Sequence, residues 1–131
     1  MGWTIYGGTI VTMGREGIIR DGAVIIEDSH IVDVGKSAEL KRKYPRYDKI
    51  DAKGKVVIPG LVNTHQHAAM SLLRGYADDF PLKEWLEDWI WPLEKHITGR
   101  DIYVGALLTA VESIMGGITT VNSMYHYMAG G

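Results

Sequence analysis

Two histidines separated by one residue are the side chains in this sequence whose types and spacing best suit chemistry. His65 and His67 follow a nearly continuous apolar stretch over residues 56–64, which is typical of a strand covered on both faces. Because side chains alternate along a strand, both imidazoles should point to the same side and reach one ion. Burying two imidazoles without partners costs several kcal/mol, and a metal supplies the partner. We therefore predict that His65 and His67 are metal ligands.

The segments around this pair predict strands and helices in alternation. Residues 59–60 are Pro-Gly and interrupt the apolar stretch, so the strand is expected from Leu61 onward. The apolar residues of 81–91 follow the helical period, with a proline in the first turn. Pro92 is expected to end this helix, because proline cannot donate a backbone hydrogen bond.

A second helix is expected to begin at Thr98, whose hydroxyl can cap it while Asp101 lies three residues further on. The Gly-Gly pair at 116–117 should stop it, and the β-branched run 118–121 predicts a second strand. A strand, a helix and a strand in this order imply a parallel pair. The carboxyl ends of parallel barrel strands form the active-site face, which is where the histidine pair would lie.

Residues 1–57 are rich in short β-like runs and carry no cluster of chemically reactive side chains. The runs 23–27 and 31–34 flank a polar turn and predict a hairpin. Residues 37–44 suit a short surface helix capped by Ser37 and stopped before a proline. We therefore expect this part of the chain to be scaffold.

Composition excludes several classes of protein. The chain of 131 residues has 14 basic and 16 acidic side chains, a balance that gives no electrostatic footprint for nucleic acid or an anionic membrane. A small-molecule ligand is expected instead. The absence of cysteine excludes disulfides, thiol nucleophiles and cysteine-based zinc sites, which leaves nitrogen and oxygen as metal ligands. No apolar run of about 20 residues and no secretory leader is present, so a cytoplasmic location is the expectation.

The residues that flank the histidine pair carry a family resemblance. Residues 59–67, Pro-Gly-Leu-Val-Asn-Thr-His-Gln-His, resemble the first-strand signature of the amidohydrolase superfamily. The continuation over 68–79, with 85–86 and 91–94, more closely resembles the methylthioadenosine/S-adenosylhomocysteine deaminases. The similarity covers almost the whole chain.

This resemblance implies a metal-dependent hydrolase. His65 and His67 would hold one divalent ion, expected to be zinc, with iron, nickel or manganese as alternatives. Such an ion makes hydroxide available near neutral pH, and in the family this hydroxide displaces the amino group of a ring as ammonia. Glu94 is expected to bind the ribose hydroxyls, and Trp85 to form a wall of the pocket. The remaining ligands and the proton-transfer groups lie on later strands in the family, so no catalytic residue is assigned.

The substrate that the resemblance implies is an adenosine-type nucleoside of the S-adenosylhomocysteine, methylthioadenosine or 5'-deoxyadenosine class. Subfamilies that act on guanine, triazines or cytosine share the first-strand motif. Another amino- or chloro-substituted heterocycle therefore stays open as an alternative. His126, just past the second strand, is a further candidate for substrate contact.

The fold class expected is α/β, with a small β-sandwich segment over 1–57 and the first two strands of a TIM-type (β/α)8 barrel over 58–131. A complete barrel needs about 250 residues and eight strands, so this chain offers about a quarter of one. Its open strand edges predict marginal stability in isolation, and we expect a homo-oligomer or complementation by the missing C-terminal part. The alternatives are part of a working deaminase and a catalytically inactive fragment. A β-rich binding module would leave the histidine pair unexplained.

Overall fold

The first of two compact units, Met1–Pro59, is built on a five-stranded mixed sheet. We obtained a computed structural model, which describes residues 1–125; His126 lies outside the described residues. The strands are β1 (Gly2–Val11), β2 (Ile18–Glu27), β3 (His30–Lys36), β4 (Asp48–Asp51) and β5 (Val56–Val57). The sheet order is β3-β2-β1-β4, and β5 also pairs with β1. Strands β1, β2 and β3 are antiparallel, whereas β4 and β5 run parallel to β1.

The predicted hairpin is confirmed, because β2 and β3 pair in antiparallel register from Glu27 opposite His30. Helix α1 (Ser37–Lys43) follows and buries Leu40 against the sheet residues Ala23 and Ile25. These three apolar side chains form the core of the unit, and burial of each removes apolar surface from water.

The predicted cap of α1 is wrong. The residue that precedes the helix is Lys36, and no side chain caps the helix there. The Ser37 hydroxyl is buried instead, where it accepts a hydrogen bond from the Gly7 N–H at 2.9 Å and donates to the Gly22 carbonyl at 2.7 Å. Because the Ser37 hydroxyl bonds two backbone groups of the sheet, it is not available to cap the helix.

The second unit, Gly60–Gly131, begins with the predicted parallel strand pair. The elements are β6 (Leu61–Gln66), the 3-10 segment (Ala68–Leu73), α2 (Leu82–Glu84), a π-helical turn (Trp85–Ile90), α3 (Trp91–Glu94), α4 (Gly99–Met115) and β7 (Ile118–Ser123). Strand β6 pairs with β7 in parallel register, from Leu61 opposite Ile118. Between the strands lie the 3-10 segment, the helical stretch from α2 to α3 and the long helix α4. No helix within residues 1–125 has the length and apolar character needed to cross a membrane.

The start and end of α4 confirm the sequence prediction. The Thr98 hydroxyl accepts from the Asp101 N–H at 3.3 Å, and the Asp101 carboxylate accepts from the Thr98 N–H at 2.8 Å. This reciprocal capping box satisfies donors that the first turn of a helix leaves unpaired. Gly116 ends the helix, and Gly117 adopts a φ of +81°, a conformation open mainly to glycine.

The expectation that β6 is covered on both faces is wrong for the described residues. Leu61 is 49% exposed and Val62 is 61% exposed, and Val121 on β7 is 46% exposed. Side chains project from the two faces of a sheet, and the elements of residues 1–125 leave these side chains of the strand pair uncovered. Each strand also has a single neighbour in its sheet, so both keep an edge that has no strand partner among residues 1–125.

The predicted end of the first helix is also wrong, because Pro92 lies inside the helical stretch. The chain stays helical from Leu82 to Glu94, passing through the π-helical turn before α3. Pro92 falls in the first turn of α3, where a missing N–H is tolerated. Glu94 is therefore the last residue of this helical stretch, which fixes the position of its backbone.

A close backbone approach joins α4 to the 3-10 segment at Gly105. A Cβ atom at residue 105 would lie 2.5 Å from the carbonyl oxygen of Ala69. Two hydrogen bonds of 2.7 Å span the same contact, from the Thr109 hydroxyl to the Ala68 carbonyl and from the Ser71 hydroxyl to the Gly105 carbonyl. Only glycine allows the two backbones to come this close.

We expect Gly105→Ala to lower the free energy of unfolding by about 1–3 kcal/mol, because the methyl group must push the two backbones apart. This loss should exceed the gain of up to about 1 kcal/mol that alanine brings to a helix interior. Urea denaturation followed by circular dichroism measures the difference. Gly116→Ala is the matched control, since a Cβ there meets its nearest atoms at 3.4 and 3.5 Å. Equal stability of the two variants would contradict the close-packing explanation.

Candidate metal centre and neighbouring pocket

The two histidines lie together at the carboxyl end of β6. Strand β6 ends at Gln66, and His67 immediately precedes the 3-10 segment. The His65 and His67 ring centroids are 5.3 Å apart, and the ring planes are inclined at 81°. The Asn63 side chain accepts a hydrogen bond from the His65 N–H at 3.1 Å, which helps to fix the backbone between the strand and the histidines.

The chemistry and spacing of these donors fit a shared divalent ion. Two imidazoles that ligate one tetrahedral zinc ion have ring centroids about 5 Å apart, given Zn–N distances of about 2.0–2.1 Å. Both rings are exposed rather than buried as expected, because the elements of residues 1–125 leave this end of the strand pair open. Within those residues, no group of three or more potential ligands comes together. The pair therefore suits two positions of a larger ligand set.

A pocket of about 170 Å³ adjoins His67 and brings together three of the four predicted site residues. His67, Trp85 and Glu94 line it, whereas His65 is not among its lining residues. The rest of the wall is mainly apolar and comes from Met70, Leu86, Ile90, Trp91 and Tyr125. Pockets for drug-sized ligands begin at roughly 300 Å³, so this space suits one part of such a molecule.

Glu94 is a buried carboxylate in this wall, and Tyr125 is its hydrogen-bond partner. Glu94 and Tyr125 are each only 4% exposed, and the Tyr125 hydroxyl donates to Glu94 Oε1 at 2.9 Å. The Tyr125 ring also packs edge-on against His67, with centroids 6.4 Å apart. A carboxylate removed from water requires such a partner. Tyr125 thus links the end of β7 to both the histidine and the carboxylate.

Tyr125 was not among the residues predicted from the sequence, although one signal pointed to it. The residue follows β7 at the same carboxyl edge where His67 follows β6. Parallel strands bring residues at equivalent ends together. A polar aromatic side chain just beyond the second strand was therefore a candidate for the same site.

A second pocket, of about 330 Å³, is lined by residues of β6, the 3-10 segment and α4, including His67 and Gln66. Gln66 Oε1 is buried and has no hydrogen-bond partner among the described residues.

At the rim of this second pocket, the Arg74 guanidinium makes two hydrogen bonds to the Glu112 carboxylate, at 2.9 and 2.6 Å. This interaction lowers the pKa of Glu112 and raises that of Arg74. Arg74 therefore ties the end of the 3-10 segment to α4.

Two family models match this chain. The amidohydrolase family model matches residues 56–130, which is more than half of the chain and includes both histidines, Trp85 and Glu94. A bacterial imidazolonepropionase-like composite domain matches residues 22–46 in the first unit.

Curated proteins that are similar over most of this chain include deaminases. The chain is 50% identical over 120 residues to a 5'-deoxyadenosine deaminase of Methanosarcina mazei, a match that covers 91% of this chain and 27% of that protein. It is 46% identical over 125 residues to a 5-methylthioadenosine/S-adenosylhomocysteine deaminase of Desulforamulus reducens, covering 95% of this chain and 29% of that protein. The chain thus spans between a quarter and a third of the length of these relatives.

Solved structures agree in fold. An adenosine deaminase from Xanthomonas campestris with bound zinc matches with a TM-score of 0.79 and 34% identity, over 95% of this chain and 29% of that one. A triazine hydrolase from Arthobacter aurescens matches with a TM-score of 0.82 and 27% identity, over 99% of this chain and 30% of that one. The α/β architecture expected from the sequence, a β-rich segment followed by the first strands of a barrel, is confirmed. With its histidine pair at the end of the first strand of the second unit and a family model that matches residues 56–130, this chain belongs to the amidohydrolase family.

Proposed function

We propose that this chain is part of a metal-dependent deaminase that acts on an adenosine-type nucleoside of the S-adenosylhomocysteine, methylthioadenosine or 5'-deoxyadenosine class. The observation that carries the proposal is the pocket in which His67, a predicted metal ligand, lies with the buried carboxylate of Glu94. In the reaction, water adds to the ring carbon that bears the amino group, and ammonia leaves. The high identity to 5'-deoxyadenosine and methylthioadenosine/S-adenosylhomocysteine deaminases supports the choice of substrate class.

The histidine pair would hold the metal ion, for which zinc is proposed because a structurally similar adenosine deaminase is described with bound zinc. An ion held by these two residues would make hydroxide available from water near neutral pH. Because neutral imidazoles carry no negative charge, His65 and His67 would leave the positive charge of the ion uncompensated and so favour the ionisation of water. Further ligands must come from outside residues 1–125, because those residues contain no group of three or more ligands.

Glu94 is proposed to bind the ribose of the nucleoside. A carboxylate accepts hydrogen bonds from hydroxyl groups and cannot donate when ionised. Tyr125 engages Oε1 and holds the carboxylate in one orientation, so that the neighbouring hydroxyls of a ribose meet an acceptor already in place. The mainly apolar wall that includes Trp85 excludes water from these bonds, which strengthens them. A pocket of about 170 Å³ suits the sugar, and the base would extend toward the histidines.

A second candidate, hydrolysis of a triazine, is favoured by the structural match to a triazine hydrolase at a TM-score of 0.82. A triazine carries no ribose, so this alternative leaves the buried carboxylate without a role. The two candidates therefore differ in what they require of Glu94.

We expect the chain to bind zinc weakly through His65 and His67. In a zinc titration followed by histidine ring NMR signals, these two residues should respond together. His67→Ala should lower the affinity at least about tenfold, because it removes a ligand outright. His96→Ala is the matched control, since His96 is an exposed histidine elsewhere in the same unit. Unchanged affinity in His67→Ala would contradict the assignment.

The zinc-loaded chain alone should release no ammonia from 5'-deoxyadenosine above background, because two imidazoles do not complete a catalytic site. Joined to, or co-expressed with, the remaining part of the Methanosarcina mazei deaminase, it should support turnover. Ammonia release measured by a coupled assay gives the result. If the chain alone turns over substrate, and His67→Ala abolishes that turnover, the described residues are sufficient for catalysis and the prediction is wrong. Hydrolysis of a triazine without nucleoside turnover in the completed enzyme would favour the second candidate.

In the completed enzyme, Glu94→Ala should reduce kcat/KM for 5'-deoxyadenosine by about 10- to 100-fold, the value of one hydrogen bond to a charged group. Any turnover of adenine, which lacks ribose, should be unchanged. Glu87→Ala is the control, because Glu87 is an exposed carboxylate on the same helical stretch. An equal loss with both substrates would contradict the ribose assignment.

A further inference from the structure

The π-helical turn between α2 and α3 is an uncommon local structure in the wall of the pocket. Its backbone bond runs from the Trp91 N–H to the Leu86 carbonyl, five residues back rather than four. Well under 1% of residues in globular proteins are π-helical, and such turns interrupt α-helices at some cost in hydrogen-bond geometry. A feature that persists at this cost requires a local cause.

Pro92 provides the cause. In a continuous α-helix its N–H would be required to bond the Asp88 carbonyl, and the pyrrolidine ring would clash with that same carbonyl. Proline has no N–H to offer. A wider preceding turn would move the Asp88 carbonyl out of line with the ring, and the chain does continue into α3 without a break. The proline that was predicted to end the helix reshapes it instead.

The wider turn changes which side chains share a face. Trp85 and Glu94 are nine residues apart, and nine α-helical steps of about 100° would place them on opposite faces, about 180° apart. Six π-helical steps of about 82°, at about 4.4 residues per turn, followed by three α-helical steps leave them about 70° apart. Both residues do line the same pocket. On the same steps Ile90, which also lines the pocket, falls between them, at about 50° from Trp85.

We propose that Pro92 is a positioning residue, which fixes the π-helical turn and thereby holds Trp85 and Glu94 on one wall of the pocket. Its effect is exerted through the helix phase, because Pro92 itself is not among the residues that line the pocket. This role explains why the two predicted substrate-binding residues, Trp85 and Glu94, line the same pocket. It rests on the proposed function only for the consequence that the two residues share a ligand.

The test separates helix phase from general stability. In Pro92→Ala the stretch should relax to a regular α-helix, and the directions of the Trp85 and Glu94 Cα–Cβ bonds should move from about 70° to about 180° apart about the helix axis. Pro92→Ala combined with deletion of Asp88 leaves eight α-helical steps, or about 80°, so the shared face should return without a proline. Solution structures of the 131-residue chain by NMR measure these angles. Pro81→Ala, which changes a proline at the start of the same stretch, should leave the turn unchanged.

Retention of the bond from Trp91 to Leu86 in Pro92→Ala would overturn the proposal, as would a folded double variant in which Trp85 and Glu94 stay on opposite faces. If Pro92→Ala loses its cooperative fold, recovery of both the fold and the shared face in the double variant supports the proposal, and failure to recover them overturns it. None of these readouts uses a substrate. A failure of Glu94 to bind ribose would therefore leave the result on helix phase intact.

Discussion

The close approach of α4 to the 3-10 segment at Gly105 is the contact on which the candidate site depends. The segment begins directly after His67, so the interactions that fix it also constrain the backbone at His67. The hydroxyls of Ser71 and Thr109 bond across the contact to backbone carbonyls, which leaves the segment little freedom to rotate. The backbone position of a predicted metal ligand is thus constrained by small residues of α4, where a larger side chain would force the two backbones apart.

Elements that are specified by a few neighbouring residues could be predicted from the sequence. The ends of α4 followed from the capping box at Thr98 and Asp101 and from the glycines at 116–117, because both signals are satisfied locally. The parallel pairing of β6 with β7 followed from the order of strands and helices, since such connections admit few topologies. The position of His67 at the end of β6 followed from the same pairing.

Features that depend on distant partners could not be predicted in this way. Ser37 has the side chain of a capping residue, yet its hydroxyl bonds the backbone of two strands far from the helix. Pro92 matches the usual signal for a helix end, but a π-helical turn accommodates it. Tyr125 belongs to no local motif, and only the pairing of β7 with β6 brings its hydroxyl to Glu94. For Ser37 and Tyr125 tertiary contacts decided the outcome, whereas at Pro92 the local signal for a helix end did not distinguish a stop from a widened turn.

The bond between Tyr125 and Glu94 also orders the events of folding. Its partners are separated by 31 residues, and β7 must pair with β6 before the tyrosine reaches the pocket. A carboxylate is not withdrawn from water without a partner. During synthesis from the N-terminus, this bond therefore cannot form until the ribosome has extended the chain past residue 125. The pocket wall that Glu94 shares with Tyr125 is thus completed only after its helical side has been synthesised.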